Sequence, residues 1–168
     1  MTIKETLQAA FEREGPRTRR VLEEVPTGRD DWKPHEKSTP LGRLAGMVAS
    51  MPSWFNLILE QDELDLPPPP GAGQYRPPSA GSLVATHDAT MAKAREAFAK
   101  VDDKFLLTTN WRLRAGGKIV SDQPRNEVIA DTLSHLAHHR GQLTVYLRLL
   151  DKKVPSVFGP SADDQRFL

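Results

Sequence analysis

Ile3, Leu7, Ala10, Phe11, Val21, Leu22 and Val25 recur largely at intervals of three and four, the spacing that gathers apolar side chains on one face of a helix. A first helix is expected over roughly residues 2–24. Gly15-Pro16 marks a kink or a break in it, because proline lacks an N–H and crowds the preceding turn. The stretch Thr27 to Thr39 is polar, and Trp32-Lys33-Pro34-His35 favours extended backbone. Leu41, Leu44, Met47, Val48, Met51, Trp54, Phe55, Ile58 and Leu59 then predict a strongly amphipathic second helix. Pro67-Pro68-Pro69-Pro70-Gly71 excludes regular structure, and the Pro/Gly-rich run through Pro78 reads as a long, partly polyproline crossover. From Ser79 or Ser82 as N-cap, Leu83, Val84, His87, Thr90, Met91, Ala94, Phe98 and Val101 predict a third helix.

Trp111-Arg112-Leu113-Arg114 and Lys118-Ile119-Val120 flank Ala115-Gly116-Gly117, an alternation around a glycine turn that predicts a short β-hairpin. Asp122 as a cap and Pro124 near the first turn introduce a long fourth helix through Val128, Ile129, Leu133, Leu136, Leu143, Leu147 and Leu150, ending near Asp151. Val154 to Leu168 reads as a loop or tail. Four helices with one long crossover predict an all-α four-helix bundle, a single domain over residues 1–168 with a small hairpin before the last helix.

The chain has no cysteine, which rules out disulfides, thiolate metal sites and a cysteine nucleophile. With 23 Lys and Arg against 22 Asp and Glu, whole-molecule charge gives no reason to expect nucleic acid or an anionic membrane as partner. No apolar run follows a basic start at the N-terminus, and none approaches the length of a spanning helix, so a soluble cytoplasmic protein is expected. Arg13, Arg17, Arg19 and Arg20 form a basic run answered by Glu12, Glu14, Glu23 and Glu24, which reads as a solvated helix face.

The chemistry concentrates in His135-Leu136-Ala137-His138-His139-Arg140-Gly141-Gln142-Leu143. His135 and His139 stand four apart, about one helical turn, the spacing that lets two imidazoles grip one divalent ion. Projected on a helix, Asp131, His135, His139, Gln142 and Tyr146 form one polar stripe with His138 to its side. Leu136 stands where a zinc-protease motif requires its glutamate base. Asp131 and Tyr146 are candidates to orient or protonate a ligand, and Gln142 completes the stripe. Arg140 faces away from the stripe, towards a salt bridge or an interface, and Gly141 suggests close approach of another backbone.

His135-x-x-x-His139-Arg140-Gly141-Gln142-Leu143, Tyr146-Leu147-Arg148 and Val154-Pro155-Ser156-Val157-Phe158-Gly159-Pro160 resemble the C-terminal part of the DinB/YfiT-like superfamily. Trp32-Lys33-Pro34 and Leu44-Ala45-Gly46-Met47-Val48-Ala49-Ser50-Met51-Pro52-Ser53-Trp54 resemble its second-helix region. The resemblance implies a four-helix bundle, often a homodimer, in which three histidines bind nickel, zinc or manganese. Some members are similar to thiol-dependent S-transferases or to mycothiol-dependent maleylpyruvate isomerase. His135 and His139 match the second and third ligands, and Met47 stands where the resemblance places the first. A thioether is a soft, neutral donor, poor for those ions and better suited to copper(I). Core packing is the competing role for Met47, and His87 and His35 are alternative imidazoles. Two classes of function stay open. One is a divalent-metal-linked enzyme of the S-transferase or hydrolase type acting on a small molecule. The other is a metal-free small-molecule-binding, dimeric interaction or stress protein.

Overall fold

The computed structural model describes residues 1–66 and 80–166. Ile3–Glu23 (α1) is one unbroken helix. Thr2 accepts from the Glu5 N–H, and Glu5 accepts from the Thr2 N–H, a reciprocal capping box. Asp103 adds acceptors for the N–H groups of Ile3 and Lys4 at 3.2 and 3.0 Å. Of the kink or break expected at Gly15-Pro16, the break is absent, with Pro16 inside the helix, and the missing side chain of Gly15 serves packing. A Cβ there would lie 2.6 Å from the Met91 methyl group.

The expected second helix is two helices, Leu41–Ser50 (α2) and Ser53–Glu60 (α3), separated at Met51-Pro52. Proline has no N–H to donate to Val48, so the chain passes instead through tight turns from Trp54 to Met51 and from Phe55 to Pro52. After α3 comes a strand, Glu63–Leu66 (β1), that hydrophobic alternation alone does not announce. The polyproline crossover expected through Pro78 lies outside the described residues. A short 3-10 turn at Ala80–Ser82 leads into Leu83–Ala99 (α4), and Asp103–Thr108 (α5) follows with Asp102 accepting from the Phe105 N–H at 2.8 Å.

Asn110–Ala115 (β2) and Lys118–Pro124 (β3) form the expected hairpin, but in a three-stranded sheet ordered β1-β2-β3 with β1 parallel to β2. Charge explains the added strand: Glu63 lies opposite Arg112 and Asp65 opposite Arg114, and Arg114 pairs with Glu63 at 2.9 Å. Gly116 and Gly117, both at positive φ, make the turn. The last helix, Arg125–Leu149 (α6), starts after Pro124, whereas Asp122 sits in β3 and accepts from Asn110 rather than capping a helix. The all-α bundle is thus corrected to a mostly helical fold with six α-helices and a three-stranded sheet among the described residues.

Two apolar clusters fill the interior. One joins the C-terminal part of α1 to α2, the start of α4 and the C-terminal half of α6. The other joins the N-terminal part of α1 to α3, α4, α5, Trp111 and Ile129, around the mutually packed rings of Phe11, Phe55 and Phe98. Trp54 packs against both.

Arg125, 1% exposed, ties the start of α6 to the end of α3. Its guanidinium donates to the carbonyls of Ile58 and Gln61 and to the Asp62 carboxylate, and it lies 4.6 Å over the Phe105 ring. The Asp62 side chain is 83% exposed, so the carbonyl bonds carry more of the stabilisation than the ion pair. Arg125→Ala is therefore expected to cost about 2–4 kcal/mol in urea unfolding, and Asp62→Asn less than about 1 kcal/mol. Equal losses in the two variants would show that the ion pair dominates.

Candidate functional site

The face of the sheet turned towards α6 carries Trp111 and Leu113 from β2, paired with Gln123 and Ser121 from β3. Beneath it α6 presents Val128, Asp131, Thr132 and His135, spaced three, four and seven apart on one helix face. Trp54 from α3 joins them, and together they line a cleft of about 370 Å³. A register shift between Leu113 and Arg114 interrupts the pairing beside this face, which resumes at Arg114 opposite Ile119.

At the rim His135 and His139 turn towards each other, with their Nε2 atoms 2.7 Å apart and their ring centroids 4.5 Å apart. His139 Nδ1–H donates to the Gln142 carbonyl oxygen at 2.8 Å. In the neutral form that leaves His139 Nε2 as an acceptor, so His135 Nε2–H is the donor within the pair. Burial holds the His135 pKa below its ordinary value, and repulsion from His139 and His138 adds to this. The His135 imidazole is thus favoured in its neutral form.

The polar stripe expected on α6 divides in three dimensions. Asp131 and His135 open on the cleft, whereas Gln142 is taken up by His139. Tyr146 donates its hydroxyl to the Thr39 carbonyl at 3.1 Å and packs edge-on against Trp32 at 5.6 Å, so it holds the loop before α2. Met47 is partly buried against the apolar cluster shared by α2 and α6. His138 is exposed, its ring 5.0 Å from that of His139.

The alternative imidazoles have other partners. His35 accepts from the Lys37 N–H in the exposed loop. His87, 1% exposed, donates Nε2–H to the Gly15 carbonyl of α1 at 3.0 Å. Arg140 is buried and paired with Glu14 at 2.5 Å, the salt bridge expected of a residue facing away from the stripe. Gly141 is exposed, and a Cβ there would meet nothing within 4 Å, which corrects the expected close approach of a backbone.

Two imidazoles with converging Nε2 atoms, one fixed through its other nitrogen, could supply two ligands to a metal. The donor set stops there. No three of the histidine, aspartate and glutamate side chains converge on one point among the described residues, and Met47, where the resemblance places the first ligand, offers only a thioether. The described residues therefore do not fit a closed three-ligand site for nickel, zinc or manganese.

Sequence patterning put Trp54 in the core, assigned Trp111 and Leu113 only to a hairpin, and missed Ser121, Gln123 and Thr132. Period-two alternation in β2 marks Trp111 and Leu113 as sharing one sheet face, but what that face covers depends on α6 folding back beneath it.

His87 gives the contact between α1 and α4 a pH signature. Burial lowers its pKa, outweighing the Gly15 carbonyl and Asp88, which raise it, while Arg19 and Arg95 lower it further. Its contribution to stability is present above the unfolded histidine value of about 6.5 and is lost as pH falls below that towards the depressed folded value. The urea midpoint is expected to fall between about pH 7 and 5, and the fall should be smaller in His87→Gln. Parallel curves for the two proteins would exclude His87 as the source.

A profile of the DinB superfamily matches residues 10–143. A DinB-like protein of Bacillus subtilis superimposes with a TM-score of 0.67 at 17% identity, covering 96% of this chain and 99% of that one. A second, from Bacillus cereus ATCC 10987, gives 0.69 at 22% identity, covering 91% and 96%. At those identities the likeness is one of fold. No curated protein matches the chain.

Proposed function

The chain belongs to the DinB superfamily, and we propose that it is a small-molecule-binding member whose site is the cleft of Trp54, Trp111 and His135. The observation that carries this reading is the cleft itself. Sheet, α3 and α6 jointly line an open cleft whose exposed surface is largely apolar, with Ser121, Gln123, Asp131, Thr132 and His135 as its polar groups, a make-up suited to a ligand site. The His135–His139 pair is its polar anchor: it supplies one hydrogen-bonding edge without a formal charge.

A second reading is a divalent-metal-linked enzyme of the S-transferase or hydrolase type. What favours it is the convergence of the two Nε2 atoms and the hold of Gln142 on His139. The missing third strong donor favours the first reading.

Two measurements separate them. With metal-stripped protein, 2-phenylethanol is expected to change the tryptophan fluorescence saturably, and Val128→Phe, which fills the cleft, should abolish the change. No saturable response, or one that survives Val128→Phe, would overturn the cleft reading. The enzyme reading instead requires about one equivalent of nickel, zinc or manganese in untagged protein, lost in both His135→Ala and His139→Ala. In calorimetry we expect weak uptake of nickel and zinc by the native chain and at least about a tenfold gain in Met47→His, which restores the third imidazole. Tight uptake by the native chain would favour the enzyme.

A further inference from the structure

The cleft has a charge of one sign. Among the described residues, lysine and arginine are absent from its lining, and its single carboxylate is Asp131. Asp131 is exposed and has no ion-pair or hydrogen-bond partner among the described residues. The neighbouring arginines are committed elsewhere: Arg112 to Asp122 and Glu63, Arg114 to Glu63, and Arg125 to Asp62. Asp131 therefore stands as an uncompensated negative charge beside two indoles, whose faces attract cations through their quadrupoles.

We propose that the cleft takes a small organic cation, an amine carried on an apolar body, with its charge on Asp131 and its body against Trp54 and Trp111. This rests on the cleft reading above and adds to it the chemical class of the ligand. Charge complementarity selects that class: an anion would meet an unpaired carboxylate and no cation, and a neutral molecule would leave Asp131 unmatched. The space of about 370 Å³ accommodates an arylalkylamine.

Phenethylamine, 2-phenylethanol and 3-phenylpropanoate share a ring and a short chain and differ in charge. Each is titrated at low salt into the native protein and into Asp131→Asn, followed by tryptophan fluorescence and calorimetry. Asp131 is exposed, so the variant is expected to fold normally, and its urea midpoint checks this. The amine should bind at least about fivefold more tightly than the alcohol, with the carboxylate weakest. In Asp131→Asn that preference should vanish while affinity for the alcohol stays within about twofold. Equal binding of amine and alcohol, or a preference that survives Asp131→Asn, overturns the cationic class and leaves the cleft as a site for neutral ligands. Absence of saturable binding by all three overturns both the class and the cleft.

Discussion

The burial of one charge decides which way the longest helix faces. Arg140 is 1% exposed, and its guanidinium meets Glu14 at 2.5 Å and the Thr18 hydroxyl at 3.0 Å, both on α1. Glu14 is shared with Arg17 at 2.7 Å, and Phe158, from the segment after α6, lies over Arg17 and Arg140 at 4.4 and 5.4 Å. A charge withdrawn from water this far is tolerable only while its partners stay in place, so α6 cannot turn about its axis without stranding it. At about 100° per residue, fixing Arg140 against α1 also fixes His139 one step round and His135 further still, away from the core. The rim histidines and the cleft face of α6 owe their direction to this ion pair. Arg125 does the same for the start of the helix, holding the last carbonyls of α3 so that Trp54 and the α6 face are presented together.

Much of this was legible in the sequence. The apolar positions of α1, α4 and α6 keep a helical period, and these helices run close to the expected bounds. Glycine at positive φ placed the hairpin turn, and Arg140 was expected to face away from the histidines towards a salt bridge. The failures have physical causes. Pro52 sits in an otherwise uninterrupted apolar pattern, and a period calculation does not register a missing N–H. β1 is four residues long with two carboxylates, so its signal lies in charges complementary to Arg112 and Arg114 rather than in alternation. The role of Gly15 was not legible, because the packing of Met91 against it is a tertiary fact.

The candidate site was half legible for the same reason. Helical projection places Asp131, His135, His139, Gln142 and Tyr146 on one stripe, but a stripe is continuous only on an isolated helix. Once α2, α3 and the sheet pack against α6, its C-terminal end closes around Tyr146, Trp32 and Met47, and its N-terminal end opens under Trp111. His139 stands at the division, bonded to Gln142 on one side and to His135 on the other. The cleft walls come from three elements distant in the chain, and no local pattern encodes that meeting.

Met47 gives the division its chemical meaning. An imidazole at that position would offer a strong nitrogen donor towards the histidine face; a thioether is content in the apolar cluster where it sits. Its preference for packing removes a reason for the closed end of the stripe to open, and it leaves His135 and His139 to satisfy each other. The two imidazoles hydrogen-bond to each other, whereas the carboxylate at the open end, Asp131, has no partner among the described residues. On the proposed reading, a thioether at Met47 leaves recognition to the carboxylate beneath the indoles, about one turn of α6 before His135.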